Sequence, residues 1–352
     1  METYLEKWMS SLEFSDFNEG MEYFFPGLDI DGKTLLFMVM EGKVAEAAGL
    51  LAEQFLGSLK AEIMGLRELF LCIVVLGIVS ALFAEFSDLF AGQQMSQAGF
   101  YFLYLLLIAV LTKVFLHVSE IAATAISTIL LFVKIFIPTY FVAVSAAQGI
   151  STAAYYYYLT LLAAYLVESI LSTMLIPFIY SYVLLALLGG LWPEEKLSLL
   201  LDFMQKGINL VLKILIGIMT GLSLVQALIL PVADGLKISA VHKSLSALPG
   251  IGGVAGSVTD LFMGSAVLIK NSVGVLLLIL LLAVCMLPLG KIALFSGLVK
   301  LGAAISGIVS DKRISGATNR VGEGCFMLLK CVGTSMAMFF VVIAIVAYTL
   351  TG

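Results

Sequence analysis

Four polar residues interrupt runs of the sequence that are otherwise apolar, and any chemistry would centre on them. Glu168 stands with no other charge between Lys134 and Glu194, while Asp260, Lys270 and Asn271 fall in SVTDLFMGSAVLIKNSVG. A charge at the centre of a bilayer costs about 2.5–3.5 kcal/mol on insertion scales, so such groups face a bundle interior, a cavity or the interface. Two readings of Glu168 stay open: a polar cavity or ion-path residue, or a buried structural carboxyl, protonated or paired with a lysine. The same alternatives hold for Lys270 and Asn271, a pair that at this depth needs a carbonyl or carboxylate partner. Lys113, His117 and Glu120 fall at i, i+4 and i+7 and so share one helical face. A polar stripe at a helix end, with Lys113 snorkelling to the interface, accounts for them.

These residues do not make a catalytic set. The two histidines, His117 and His242, stand far apart in sequence, and there is no HExxH, GxSxG or Walker-type loop. Cys72, Cys285, Cys325 and Cys331 sit in apolar stretches without CxxC spacing and read as small hydrophobes of a helix bundle. The glycines of LPGIGGVAGS follow no strand, so they indicate a bend, a re-entrant turn or a close helix approach rather than a nucleotide loop. No enzyme, cofactor or metal centre is expected.

The elements that must position these residues are membrane helices. Of 352 residues 61% are hydrophobic and 12% charged, with a mean hydropathy of +1.10. A soluble domain carries about 25% charge, so lipid is the solvent for most of this chain. Residues 1–68 hold 13 acidic and 5 basic residues, whereas the rest hold 11 and 14. That balance excludes a nucleic-acid footprint and places the acidic N-terminal part outside the cytoplasm under the Lys/Arg orientation bias. No basic region followed by an apolar one opens the sequence, so no cleavable signal peptide is expected.

Residues 1–65 read as an acidic, amphipathic helical cap at the membrane surface, with turns at Pro26-Gly27 and Asp31-Gly32. Residues 66–352 form a polytopic domain. Leu69–Ala84, Gly99–Leu116, Leu210–Leu230, Ser272–Leu289 and Cys331–Thr351 are spanning candidates, since about 20 helical residues cross the hydrocarbon. Val118–Ile137, Ala233–Leu248 and Lys291–Val309 read as separate amphipathic or buried segments. Tyr155–Leu191 carries one charge and would extend about 56 Å as a helix, too long for one straight span. Pro177 is its natural break. The tyrosines Tyr155 to Tyr158 read as an interfacial belt.

Pro138 and Pro177 are 39 residues apart, as are Pro249 and Pro288, and both pairs match at an offset of 111. The expected fold is therefore an all-α bundle with helices broken at these four prolines, built as a tandem repeat with units near 99–209 and 210–320 and a final span at 331–351.

The run from Thr259 to Asp311 resembles the C-terminal half of the stage III sporulation protein AE family. The residues that carry the likeness are Asp260, Lys270, Asn271, Val273, Gly274, Pro288 and Lys291. It extends more loosely through Ile137-Pro138, the small residues after them and Pro177, so it covers roughly residues 60–352. The resemblance implies a membrane component of the channel, or feeding apparatus, that joins mother cell and forespore. Its implied partners are the other stage III A membrane proteins, an export-type ATPase and a forespore protein, with homo-oligomers also open. It implies no catalytic residues. A stand-alone secondary transporter, with a midplane site near Glu168 and Lys270, is the alternative from another class.

Overall fold

The computed structural model describes residues 15–25, 31–50, 71, 75, 93–148, 150–191, 197–246, 252–309 and 312–348. Among them there is no strand. The elements are α1 (Ser15–Phe24), α2 (Gly32–Met40), α3 (Gln93–Gln148), α4 (Ile150–Ser169), a π-helical segment (Ile170–Leu175), α5 (Ile176–Gly189), α6 (Ser198–Ser246), α7 (Gly252–Val309) and α8 (Lys312–Tyr348). Apart from Leu71 and Val75, the expected candidate span Leu69–Ala84 lies outside the described residues, as does Pro249.

Side-chain contacts fix the direction of each long helix. Tyr104 of α3 donates to the Leu187 carbonyl at 2.7 Å, and Phe115 meets Tyr180 edge-on at 5.1 Å, so α3 and α5 run antiparallel. His117 meets Phe295 while Tyr140 lies against Gly274, so α3 and α7 are antiparallel too. Residue numbers rise together across α6 and α8 (Asp202 with Arg320, Asn209 with Lys330), which makes that pair parallel. The result is an up-and-down bundle in which α8 touches α3, α4, α5, α6 and α7.

The sequence of α8 explains its central place. Val321, Cys325, Leu328, Val332, Ser335 and Phe339 recur at alternating four- and three-residue steps and are all buried. Gly324 lets α8 close on Val183 and Phe115, where a Cβ would collide with the valine. Hydrophobic burial cannot bring helices together in lipid, so such close approaches at small residues carry the packing.

Among the described residues, four helical stretches are long and apolar enough to cross a membrane: Gly99–Ala147, Ala153–Gly189, Gly264–Ile308 and Lys312–Ala347. The shortest, with 36 residues, extends about 54 Å, and tilted by about 40° it still rises about 41 Å against a hydrocarbon core of about 30 Å. These helices therefore continue past the hydrocarbon layer.

Two of the expected breaks, Pro138 and Pro288, are not where helices end. Pro138 lies inside α3 and Pro288 inside α7, each a single helix of 56 and 58 residues. Gly99–Leu116 and Val118–Ile137 are consequently one element, and Lys291–Val309 is the continuation of Ser272–Leu289. A proline within a membrane helix is tolerated because neighbouring groups or local adjustments re-satisfy the freed carbonyl. Pro177 does mark a change: the backbone passes from α to π geometry at Ile170–Leu175 and returns to α at Ile176, beside the proline. The repeat-related pair Pro177 and Pro288 thus sits in different local geometry.

The two N-terminal helices are bound to the bundle. Phe17 and Phe24 of α1 pack against Phe136 and Phe132 of α3, with centroids 4.9 and 5.7 Å apart, and α2 lies along α7. The Gly32 N–H at the start of α2 donates to Asn18 Oδ1 at 3.1 Å, so α1 caps α2. At the other end Gly42 takes φ +81°, with Lys43 N–H on the Met38 carbonyl and Gly42 N–H on Val39, a Schellman closure.

Candidate functional site

One face of α6 carries Asp202, Gln205 and Asn209 at i, i+3 and i+7, and α8 sets Arg320, Glu323 and Lys330 against it. Arg320 Nη1 donates to Asp202 Oδ1 at 2.5 Å, and Gln205 Nε2 donates to Glu323 Oε2. Lys300 of α7 reaches Glu323 Oε1 at 3.2 Å, so this carboxylate ties three helices together. Lys330 Nζ donates to Asn209 Oδ1 at 2.8 Å, and Asn209 Nδ2 returns to the Gln205 carbonyl. Lys300 and Lys330 both stand over the Phe326 ring, 5.3 and 5.0 Å from its centroid. The seam is closed: its charged groups are met by partners from neighbouring helices. Side-chain exposures of 25–48% leave each ion pair screened, so a single pair contributes on the order of 1 kcal/mol or less and the network acts through its connections.

Lys270 lies in the opposite part of α7. It is fully buried, and its Nζ donates to the Val346 carbonyl at 3.2 Å. Val346 belongs to the last turn described for α8. The expected carbonyl partner of Lys270 is therefore found. Asn271 follows with a buried Oδ1 that no described group satisfies, and the buried Tyr140 hydroxyl on α3 is in the same condition. Gly274, one turn beyond Lys270, admits that tyrosine: a Cβ there would lie 2.9 Å from Tyr140 Oη.

Glu168 is half-buried just before the π segment and pairs with none of the described residues, Lys270 included. Asp260 falls on the early part of α7, but its side chain lies outside the described residues. The four expected site residues are thus not assembled into one centre by the described contacts. Among the described residues no His, Cys, Asp and Glu group is arranged to hold a metal.

The stripe at Lys113, His117 and Glu120 is in the middle of α3, not at its end. It continues through Thr124 and Thr128, and its part from His117 onward lines, with Pro288 and Lys291 of α7, a crevice of about 430 Å³. Sequence spacing gave the near wall of this crevice but not its opposite side, 160 to 180 residues away. The seam was missed altogether, although Asp202, Gln205 and Asn209 share a readable face.

Similarity to known proteins is decisive at this point. The family described as Stage III sporulation protein AE matches residues 30–349. The chain belongs to this family. It is also similar to the Stage III sporulation protein AE of Bacillus subtilis (strain 168), with 20% identity over 286 residues that cover 81% of this chain and 72% of that protein. No solved structure matches. The stage III sporulation protein AE family comprises sporulation membrane proteins and is not a known enzyme family. Together with the four long apolar helices, membership makes this a multi-pass membrane protein of sporulation.

Proposed function

We propose that the chain is a non-enzymatic, multi-pass component of the channel between mother cell and forespore, seated in the mother-cell membrane around the forespore. The observation that carries this reading is a set of helices extending well past a bilayer, tied by a polar seam across α6, α7 and α8, in a member of this family. Helices that project beyond the lipid offer surface to other proteins, here the remaining stage III A membrane proteins and a forespore partner. Residues 1–65 are the acidic cap of this reading and residues 66–352 its membrane domain. Two related halves near 99–209 and 210–320 remain part of it.

The test is genetic and biochemical. Deleting the gene in its own organism is expected to stop development at the forespore stage, and tagged protein solubilised from sporulating cells is expected to bring other stage III A membrane proteins with it. A chain that instead moved a solute by itself, with saturable uptake into liposomes, would show a secondary transporter and overturn the channel-component reading.

A further inference from the structure

The crevice between α3 and α7 lies halfway along both helices, since Thr124 is near the centre of Gly99–Ala147 and Pro288 near the centre of Gly264–Ile308. His117 and Glu120 are exposed into it, and neither bonds to a described residue through hydrogen; His117 has only an edge contact with Phe295, 5.3 Å between centroids. Pro288 has no N–H, so the Val284 carbonyl one turn back lacks its helical donor, and Val284 lines the same crevice. The His117 and Glu120 side chains, at this depth and without a hydrogen-bond partner among the described residues, require water.

A second observation indicates that this side of the bundle faces water. Helices α1 and α2 lie on α3 and α7, on the stretch that begins at Phe132. Most of their apolar residues, Phe17, Met21, Leu35 and Leu36 among them, point inward, while Glu19, Glu22 and Asp31 are exposed together with Tyr23 and Phe37. A helix lying in lipid would not turn carboxylates outward. The opposite side differs in charge: α3 and α7 expose apolar residues too, but α4 and α5 expose Leu162, Tyr165, Leu166, Met174 and Leu184 and, among the described residues, no charged side chain.

We infer that the α3–α7 crevice is a water-filled binding and passage surface for small hydrophilic solutes. Its Glu120 carboxylate and His117 imidazole, with two threonine hydroxyls and Lys291 at the rim, suit zwitterionic or hydrated charged molecules. A volume of about 430 Å³ lies within the 300–1,000 Å³ range of small-molecule sites. The inference rests on the channel reading and names the surface along which a solute would travel.

Thiol labelling tests it. Thr124→Cys and Thr128→Cys are near-isosteric, and Met174→Cys supplies a control at the same level on the α4–α5 side, where Phe115 meets Tyr180 and Phe141 meets Tyr157 on either side of that level. Each variant is compared with the parent chain, whose Cys285, Cys325 and Cys331 are buried. Membranes from sporulating cells, opened by freezing and thawing, receive a membrane-impermeant methanethiosulfonate reagent, in a cationic and in an anionic form. The expected result is labelling at 124 and 128 at least tenfold faster than at 174 with both forms. Equal rates at all three positions, fast or slow, overturn the inference. Failure of the channel reading is seen separately, as normal sporulation of the deletion strain, and does not depend on the labelling rates.

Discussion

The seam and the crevice are both polar regions in an apolar bundle, and they differ in whether their groups meet one another. In the seam, Asp202 has Arg320, Glu323 has Gln205 and Lys300, and Asn209 has Lys330. In the crevice, His117 and Glu120 face open space. Polar groups that satisfy each other hold helices in register; polar groups left facing a cavity are available to water or solute. The seam is accordingly a structural device and the crevice a functional one. Substitutions separate the two roles because they act on stability in one region and on sporulation in the other.

The largest effect is expected beside the seam, at Gly324→Leu. The new side chain would enter the space of Val183, with Phe115 behind it, and force α8 away from both α5 and α3. Overpacking of this kind costs about 3 kcal/mol. Because α8 touches every other long element, thermal unfolding of the detergent-solubilised protein should show either a large loss of Tm or no folded protein; an unchanged Tm would mean that α8 is not the hub. Next comes Glu323→Ala, which removes the acceptor of both Gln205 and Lys300 and is expected to cost about 2 kcal/mol. Combined with Lys300→Met it should cost less than the sum of the two single changes, with a coupling of at least about 0.5 kcal/mol. Additivity would show that the seam is a set of independent surface pairs.

Lys270→Met probes the other part of α7. The lysine is fully buried on a single backbone carbonyl, and methionine fills similar volume without an ammonium to desolvate. Replacing a buried charge by an apolar residue is often neutral or stabilising, so unfolding should shift by less than about 1 kcal/mol. Comparison with Glu323→Ala then sharpens the contrast: a charge held by several side chains matters to the fold, whereas one held by a carbonyl does not. If Lys270→Met also leaves sporulation intact, Lys270 has no functional role.

Much of this was readable from the sequence. The helical class and the membrane solvent follow from local composition and spacing, and the resemblance to the family rests on the residues from Asp260 to Lys291. The Lys270-Asn271 pair needed a carbonyl or carboxylate partner on physical grounds, and Lys270 has the Val346 carbonyl. What spacing could not supply is contact between distant segments: Asp202 and Arg320 are 118 residues apart, and nothing local distinguishes a paired carboxylate from a solvated one. The prolines misled for a different reason. Their cost is assessed for an isolated helix, where a lost hydrogen bond is uncompensated, but α3 and α7 run on through Pro138 and Pro288 inside a bundle that holds them on several sides.

The smallest effect on stability, and the finest division between the two kinds of polar group, is expected from Glu120→Gln and Glu168→Gln. Neither carboxylate bonds to a described residue, and the change keeps volume while removing charge, so each should alter unfolding by no more than about 0.5 kcal/mol. Their consequences for sporulation should differ. Glu120 faces the crevice beside His117, where loss of its charge changes what the water-filled surface attracts. Glu168 lies on α4, half-buried before the π segment, away from the crevice-lining residues. Spore counts from strains carrying each variant at native level should fall for Glu120→Gln and stay near wild type for Glu168→Gln. The reverse pattern would move the functional surface from the α3–α7 side of the bundle to the α4 side, and would make the isolated carboxylate of the longest uncharged run, not the stripe on α3, the group on which passage depends.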